Sequence, residues 1–198
     1  MPVAPPNNPT LENLLTDIRA CRHCEQALPL GPRPILRLSE TSRILIIGQA
    51  PGIRVHESGI PWNDLSGIRL REWMGIDEAC FYDEDNIAIV PMGFCYPGKG
   101  KSGDLPPRKE CMQLWGELLQ AHLKNIKLTL LTGHYAQQHN LAQAEKTLTA
   151  TVKNWQAYLP KTFVLPHPSP RNNIWLKKNP WFESQLVPAL QQRIQELI

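Results

Sequence analysis

The chain has 198 residues, 42% hydrophobic and 20% charged, which excludes a disordered polymer and suffices for one domain with a real core. Its net charge of +3 permits a nucleic-acid partner without demanding one. The apolar runs are short, and the opening MPVAPPNNPT has neither a basic nor an apolar stretch, so no membrane span, no secretory signal and a cytoplasmic protein are expected.

In chain order, residues 1–9 read as a flexible tail and 10–198 as a single domain. Thr10 is a candidate N-cap for a helix whose apolar positions Leu11, Leu14, Leu15 and Ile18 follow the spacing of one helical face. Four runs of strand character come next: 43–48 (RILIIG), 86–90 (NIAIV), 127–132 (KLTLLT) and 162–165 (TFVL). They are mostly apolar rather than alternating, as in a parallel sheet covered on both faces. Helical patterns separate them. One carries Leu65, Ile68, Arg69 and Trp73, and a second carries Cys111, Leu114, Trp115, Leu118, Leu119 and His122. A third begins near Gly133. A last one carries Leu186, Leu190, Ile194 and Leu197 after Asn179-Pro180, with Pro188 as a kink or restart. This alternation predicts a three-layer α/β/α sandwich around a four-stranded parallel sheet. Ligands of such folds bind beyond the carboxyl ends of the strands. The 19 prolines, roughly twice the usual share of about 5%, cluster beside the strand runs, where a fixed φ stiffens loops.

Those strand ends carry the chemistry. The first strand exits into Gly48-Gln49-Ala50-Pro51-Gly52, a tight turn able to aim backbone N–H groups into a cleft, though many strand exits look alike. The fourth exits into His167-Pro168-Ser169-Pro170-Arg171-Asn172. A lone histidine is more often an ordinary surface or core residue, but here prolines hold it at the sheet's rim. The loop 92–107 is long enough to suggest a function. Its GKGKSG string is no phosphate-binding P-loop, because Gly100 rather than Ser or Thr follows Lys99 and no strand-to-helix junction surrounds it. Lys99, Lys101 and Arg108 read equally as phosphate contacts and as a solvated basic loop. Five cysteines, an odd number, favour metal ligation or burial over a disulfide framework. Cys21-x2-Cys24 is followed by Cys95 and Cys111, too far apart for the second short pair of a structural zinc site but compatible with a cubane cluster, and Cys80 is left for the core.

The turn 48–52, the segments Gly59-Ile60-Pro61-Trp62 and Leu65-Ser66-Gly67, and HPSPRN resemble the uracil-DNA glycosylase superfamily. HPSPRN is closest to the form in single-strand-selective monofunctional uracil glycosylases, and the order and spacing of Cys21, Cys24, Cys95 and Cys111 resemble the superfamily's iron–sulfur branch. The resemblance implies hydrolysis of the N-glycosidic bond of uracil or a related damaged base flipped out of DNA. It implies Trp62 stacked on the base, Gly48, Ala50, Pro51 and Gly52 around it, Gln49 orienting water and His167 stabilising the departing base. Lys99, Lys101, Arg108, Ser169, Arg171 and Asn172 would meet DNA, Arg171 and Asn172 entering the gap in the duplex. The four cysteines would hold a 4Fe–4S cluster, with DNA as partner and no membrane or protein partner implied. The chain departs from the family at three positions. Gln49 stands where the iron–sulfur branch has Glu, Ala50 where many members have Asp or Asn, and Pro91 where the branch has a base-reading Asn. His56, Glu57 and Asp64 either supply a water-orienting group or simply face solvent. A nucleic-acid-binding member without hydrolysis, and an iron–sulfur redox or sensor protein, stay open as alternatives.

Overall fold

The computed structural model describes residues 9–198, so the expected tail lies, but for Pro9, outside the described residues. The helices are α1 (Leu11–Arg19), α2 (Ile53–Ser58), α3 (Leu65–Met74), α4 (Glu78–Phe81), α5 (Glu110–His122), α6 (His134–Asn140), α7 (Leu148–Lys153), α8 (Asn173–Lys178) and α9 (Val187–Gln195). The strands are β1 (Ile44–Ile47), β2 (Ile87–Ile89), β3 (Lys99–Gly100), β4 (Gly103–Asp104), β5 (Leu128–Thr132) and β6 (Thr162–Leu165). Among the described residues no helix is long and apolar enough to cross a membrane.

The expected four-stranded parallel sheet is present, in the order β2-β1-β5-β6, with Ile44 of β1 paired to both Ile87 and Leu128. Alternation along β2 divides the two layers. Ile87 and Ile89 pack with Leu70, Trp73 and Met74 of α3 and Leu190 and Ile194 of α9. Ala88 and Val90 pack with Leu14, Leu15 and Ile18 of α1 and Leu119 of α5. Burying each of these larger side chains contributes about 1.5–3 kcal/mol. The chain leaves β1 for a neighbour on one side and returns through β5 to the other, so the switch in winding lies between β1 and β5, where α/β folds open a crevice.

Thr10 caps α1 as expected, its side chain accepting from the Asn13 N–H at 3.3 Å. Pro188 does restart the last helix: a π-helical turn over Phe182–Leu186 precedes α9, and the proline sits in the first turn, where its missing N–H costs nothing. Two expectations need correction. Cys80 is half-buried on α4 rather than in the core, because Phe81 turns inward in its place. On α3 the inward face is Leu70, Trp73 and Met74, whereas Leu65 and Ile68 are 55% and 47% exposed. The first turn of α3 projects to the rim of the sheet, where Arg69 donates to the carbonyls of Pro168 and Ser169. In the long loop, residues 91–98 are wholly buried, and the GKGKSG string folds into an antiparallel hairpin pairing Lys99 with Asp104 and Gly100 with Gly103.

Candidate functional site

At the switch point the Thr132 hydroxyl donates to the Ile47 carbonyl at 2.8 Å and ties the carboxyl ends of β1 and β5 together. Beyond them lies a cavity of about 50 Å³. Gly48, Gln49, Ala50 and Pro51 line one side, Pro61, Trp62 and Asp64 a second, His167 a third, and Ile35, Val55, Ile89 and Pro91 its apolar floor. The two motif-bearing loops, separated by most of the chain, thus share one cavity. Gly52 is not part of the lining.

Trp62 closes the cavity. It has φ +57, a left-handed conformation that bulky side chains rarely adopt. A Cβ on Gly48 would come 2.8 Å from Trp62 Cζ2, so the indole lies directly on that backbone, which only glycine allows. The Tyr82 hydroxyl donates to the Pro61 carbonyl at 2.9 Å and braces the strained turn. The Trp62 and His167 rings face each other at 5.6 Å, tilted by 34°.

His167 is set in one protonation state and one tautomer. Burial lowers its pKa, opposed by the nearby Asp64 carboxylate, so the ring is neutral at neutral pH. The Ser169 N–H donates to Nδ1 at 3.2 Å, which leaves the single proton on Nε2. Asn172 Nδ2 donates to the His167 carbonyl at 2.7 Å, and Gln137 Nε2 donates to the Leu165 carbonyl at 2.8 Å, so the histidine's backbone is held from both sides.

The other expected residues are distributed more widely. Gln49 Nε2 donates to the Leu105 carbonyl at 3.3 Å, and Arg171 Nη1 to the Ser102 carbonyl at 3.0 Å, so the hairpin β3–β4 spans the two loops. Lys99 and Lys101 are exposed on that hairpin. Arg108 is turned away from them: it pairs with Glu110 and lines the cysteine cavity. Of the three candidate water-orienting residues only Asp64 reaches the pocket; the backbone carbonyls of His56 and Glu57 bind Arg33 instead. Two residues outside the cavity lining but beside its loops escaped the sequence reading. Asp104 lies beside Gly52, and Ile174 on α8 is 69% exposed just after HPSPRN, with Lys177 and Lys178 one helical turn on. Only Ile174 had a local signal, an apolar residue followed by two lysines at i+3 and i+4.

Cys21, Cys24, Cys95 and Cys111 line one cavity, walled by Leu28, Pro32, Pro34, Phe94 and Trp115. Burial, with the neighbouring cysteines adding to it, pushes the thiols up to about 11 at Cys95 and about 12 at Cys111. The Phe94 N–H donates to Cys111 Sγ at 3.4 Å. Among the described residues no three His, Cys, Asp or Glu side chains converge so as to hold a metal ion.

A parallel α/β sheet with a neutral histidine and a facing aromatic at its switch point is equipped to grip a flat, polar ring. The family model described as the uracil DNA glycosylase superfamily matches residues 37–191, more than three quarters of the chain. The chain belongs to that superfamily.

Proposed function

We propose that the protein hydrolyses the N-glycosidic bond of uracil, or of a related damaged base, in DNA. The observation that carries this is the pairing of Trp62 and His167 across one cavity, with the histidine's proton on Nε2. A flipped base stacks on the Trp62 ring, a contact worth about 1–3 kcal/mol. Bond cleavage leaves positive charge on the sugar and negative charge on the base. A donor already aimed, in a site shielded from water, stabilises that anion without reorganising. Pro91 presents an apolar wall, so the base is selected by stacking and by His167. Lys99, Lys101 and Arg171 are exposed and would meet the DNA backbone together with Ser169 and Asn172, and the exposed Ile174 would add an apolar side chain at the gap left by the flipped nucleotide.

Purified protein incubated with a uracil-containing oligonucleotide is expected to leave alkali-sensitive abasic sites at uracil and none in a thymine control. No excision of any base tested, with DNA binding retained, establishes instead the binding-only reading, which the missing carboxylate in the turn 48–52 favours.

The same reading places a 4Fe–4S cluster on Cys21, Cys24, Cys95 and Cys111. Four thiols around one apolar cavity, with an N–H already directed at one sulfur, are a soft donor set of the right kind. A cubane spreads its thiolates over four irons, so the sulfurs need not converge on one point. When bound, the cluster would supply a covalent clamp through which Cys21, Cys24, Cys95 and Cys111 would tie the segment after α1 to the start of α5. Anaerobically purified protein is expected to be brown with about four irons per chain, and Cys111→Ser to lose them. Stoichiometric zinc without iron overturns this assignment. A purely redox role leaves the pocket at the strand ends without a task.

A further inference from the structure

Attack of water on C1′ of the deoxyribose is helped by a carboxylate that takes the water's proton. The turn 48–52 has none, and Gln49, its one polar side chain, holds no base. The fold brings a carboxylate to that turn from elsewhere. A Cβ on Gly52 would stand 3.5 Å from Asp104 Oδ2, so the carboxylate lies against the end of the turn. Asp104 closes the hairpin β3–β4, which is anchored on both sides of the pocket mouth. Gln49 holds it at Leu105, Arg171 holds it at Ser102, and the Leu105 N–H closes its base on the Gly98 carbonyl at 2.8 Å. The approach of Arg171 needs a glycine in the hairpin: Gly103 has φ +150, and a Cβ there would come 2.5 Å from Arg171 Nη1. The ion pairs among the described residues do not include Asp104, so its lone pairs are uncommitted to a close cation. Asp64, the carboxylate that lines the pocket itself, already gives Oδ1 to the Gly67 N–H at 2.9 Å as the N-cap of α3.

We infer that Asp104 is the general base of the hydrolysis, an inference that rests on the glycosylase reading above. The water oxygen bonds to C1′ as the C1′–N bond breaks, its electron pair leaving with the base. The water's proton passes to Asp104 and from there to solvent. The base anion, held by the His167 Nε2–H, takes a proton from solvent. The groups facing Asp104 set its basicity. Partial desolvation raises its pKa first of all, Arg171 lowers it, Asp64 raises it and Lys99 lowers it, while desolvation and then the Asp104 charge raise the pKa of Tyr96. A carboxylate whose pKa is raised is a stronger base when ionised.

The test is single-turnover excision by Asp104→Asn, an isosteric change at an exposed position. The rate is expected to fall about 100-fold, with affinity for an oligonucleotide carrying non-cleavable 2′-fluorodeoxyuridine unchanged. The wild-type rate should fall as pH drops through the raised Asp104 pKa, and the variant should lose that acid limb. Adding Gln49→Glu to the variant should restore activity about tenfold or more by placing a base in the turn itself. Asp104→Asn excising at the wild-type rate overturns the inference while leaving the glycosylase reading intact. A wild-type protein that excises no base removes both.

Discussion

Replacing His167 by alanine is expected to slow single-turnover uracil excision about 10²–10³-fold, the usual loss when one donor to a developing anion is removed. The effect is large because the cavity's other side-chain donors have other tasks: Gln49 already donates to the Leu105 carbonyl, and the Trp62 indole presents its face to the base in the proposed stack. The backbone around residue 167 is held by Arg69, Gln137 and Asn172, so the variant should fold and bind DNA. The lowered pKa of His167 keeps the Nε2–H tautomer in place through neutrality. Its contribution should therefore be flat with pH there. Gln49→Ala should cost less than His167→Ala, since a cationic sugar is readily attacked whereas an unstabilised base anion leaves poorly. The reverse order in the two rate constants means that the roles are exchanged.

Gly67→Ala should be the most damaging single methyl group in the molecule. A Cβ there would be driven into the Trp62 carbonyl oxygen, with the carbonyl carbon at 2.7 Å and Trp62 Cβ at 2.9 Å. Backbone cannot yield as a flexible side chain does, so α3 or the Trp62 turn must shift. Overpacking of this kind costs about 1–3 kcal/mol. The Trp62 ring, which depends on a strained φ, should leave its place over Gly48. The measurements are thermal unfolding, where Tm should drop, and excision, which should weaken with it as stacking is lost. Gly116→Ala is the control: its Cβ would meet only the far end of the Met112 side chain, at 3.1 Å, and a helix interior favours alanine. Equal Tm values for the two variants contradict the assigned contact.

The strands, the cap of α1 and the restart at Pro188 were legible in the sequence because each depends on neighbours in the chain: an apolar run, a hydroxyl beside a free N–H, a missing N–H. The turn 48–52 and HPSPRN were legible as candidate site residues because strand-end loops stiffened by proline carry their own pattern, whereas Trp62 was legible only through the family resemblance. The helix α3 was legible from its spacing, but the face it buries was not. Leu65 and Ile68 fit one face on spacing alone, yet the helix begins at the sheet's rim, where that face has no partner layer.

Sequence alone therefore determined the layer architecture, the loops that form the pocket and the residue types available to it. Tertiary structure decided which of those residues meet. It turned Arg108 to the cysteines and left His56 and Glu57 outside the pocket. It gave His167 its tautomer and carried Asp104 to a turn that lacks a carboxylate. The physical reason is the same in each case. Hydrogen bonds and packing between segments far apart in the chain, such as Arg171 to Ser102 and Gln49 to Leu105, leave no periodicity or spacing in the local sequence.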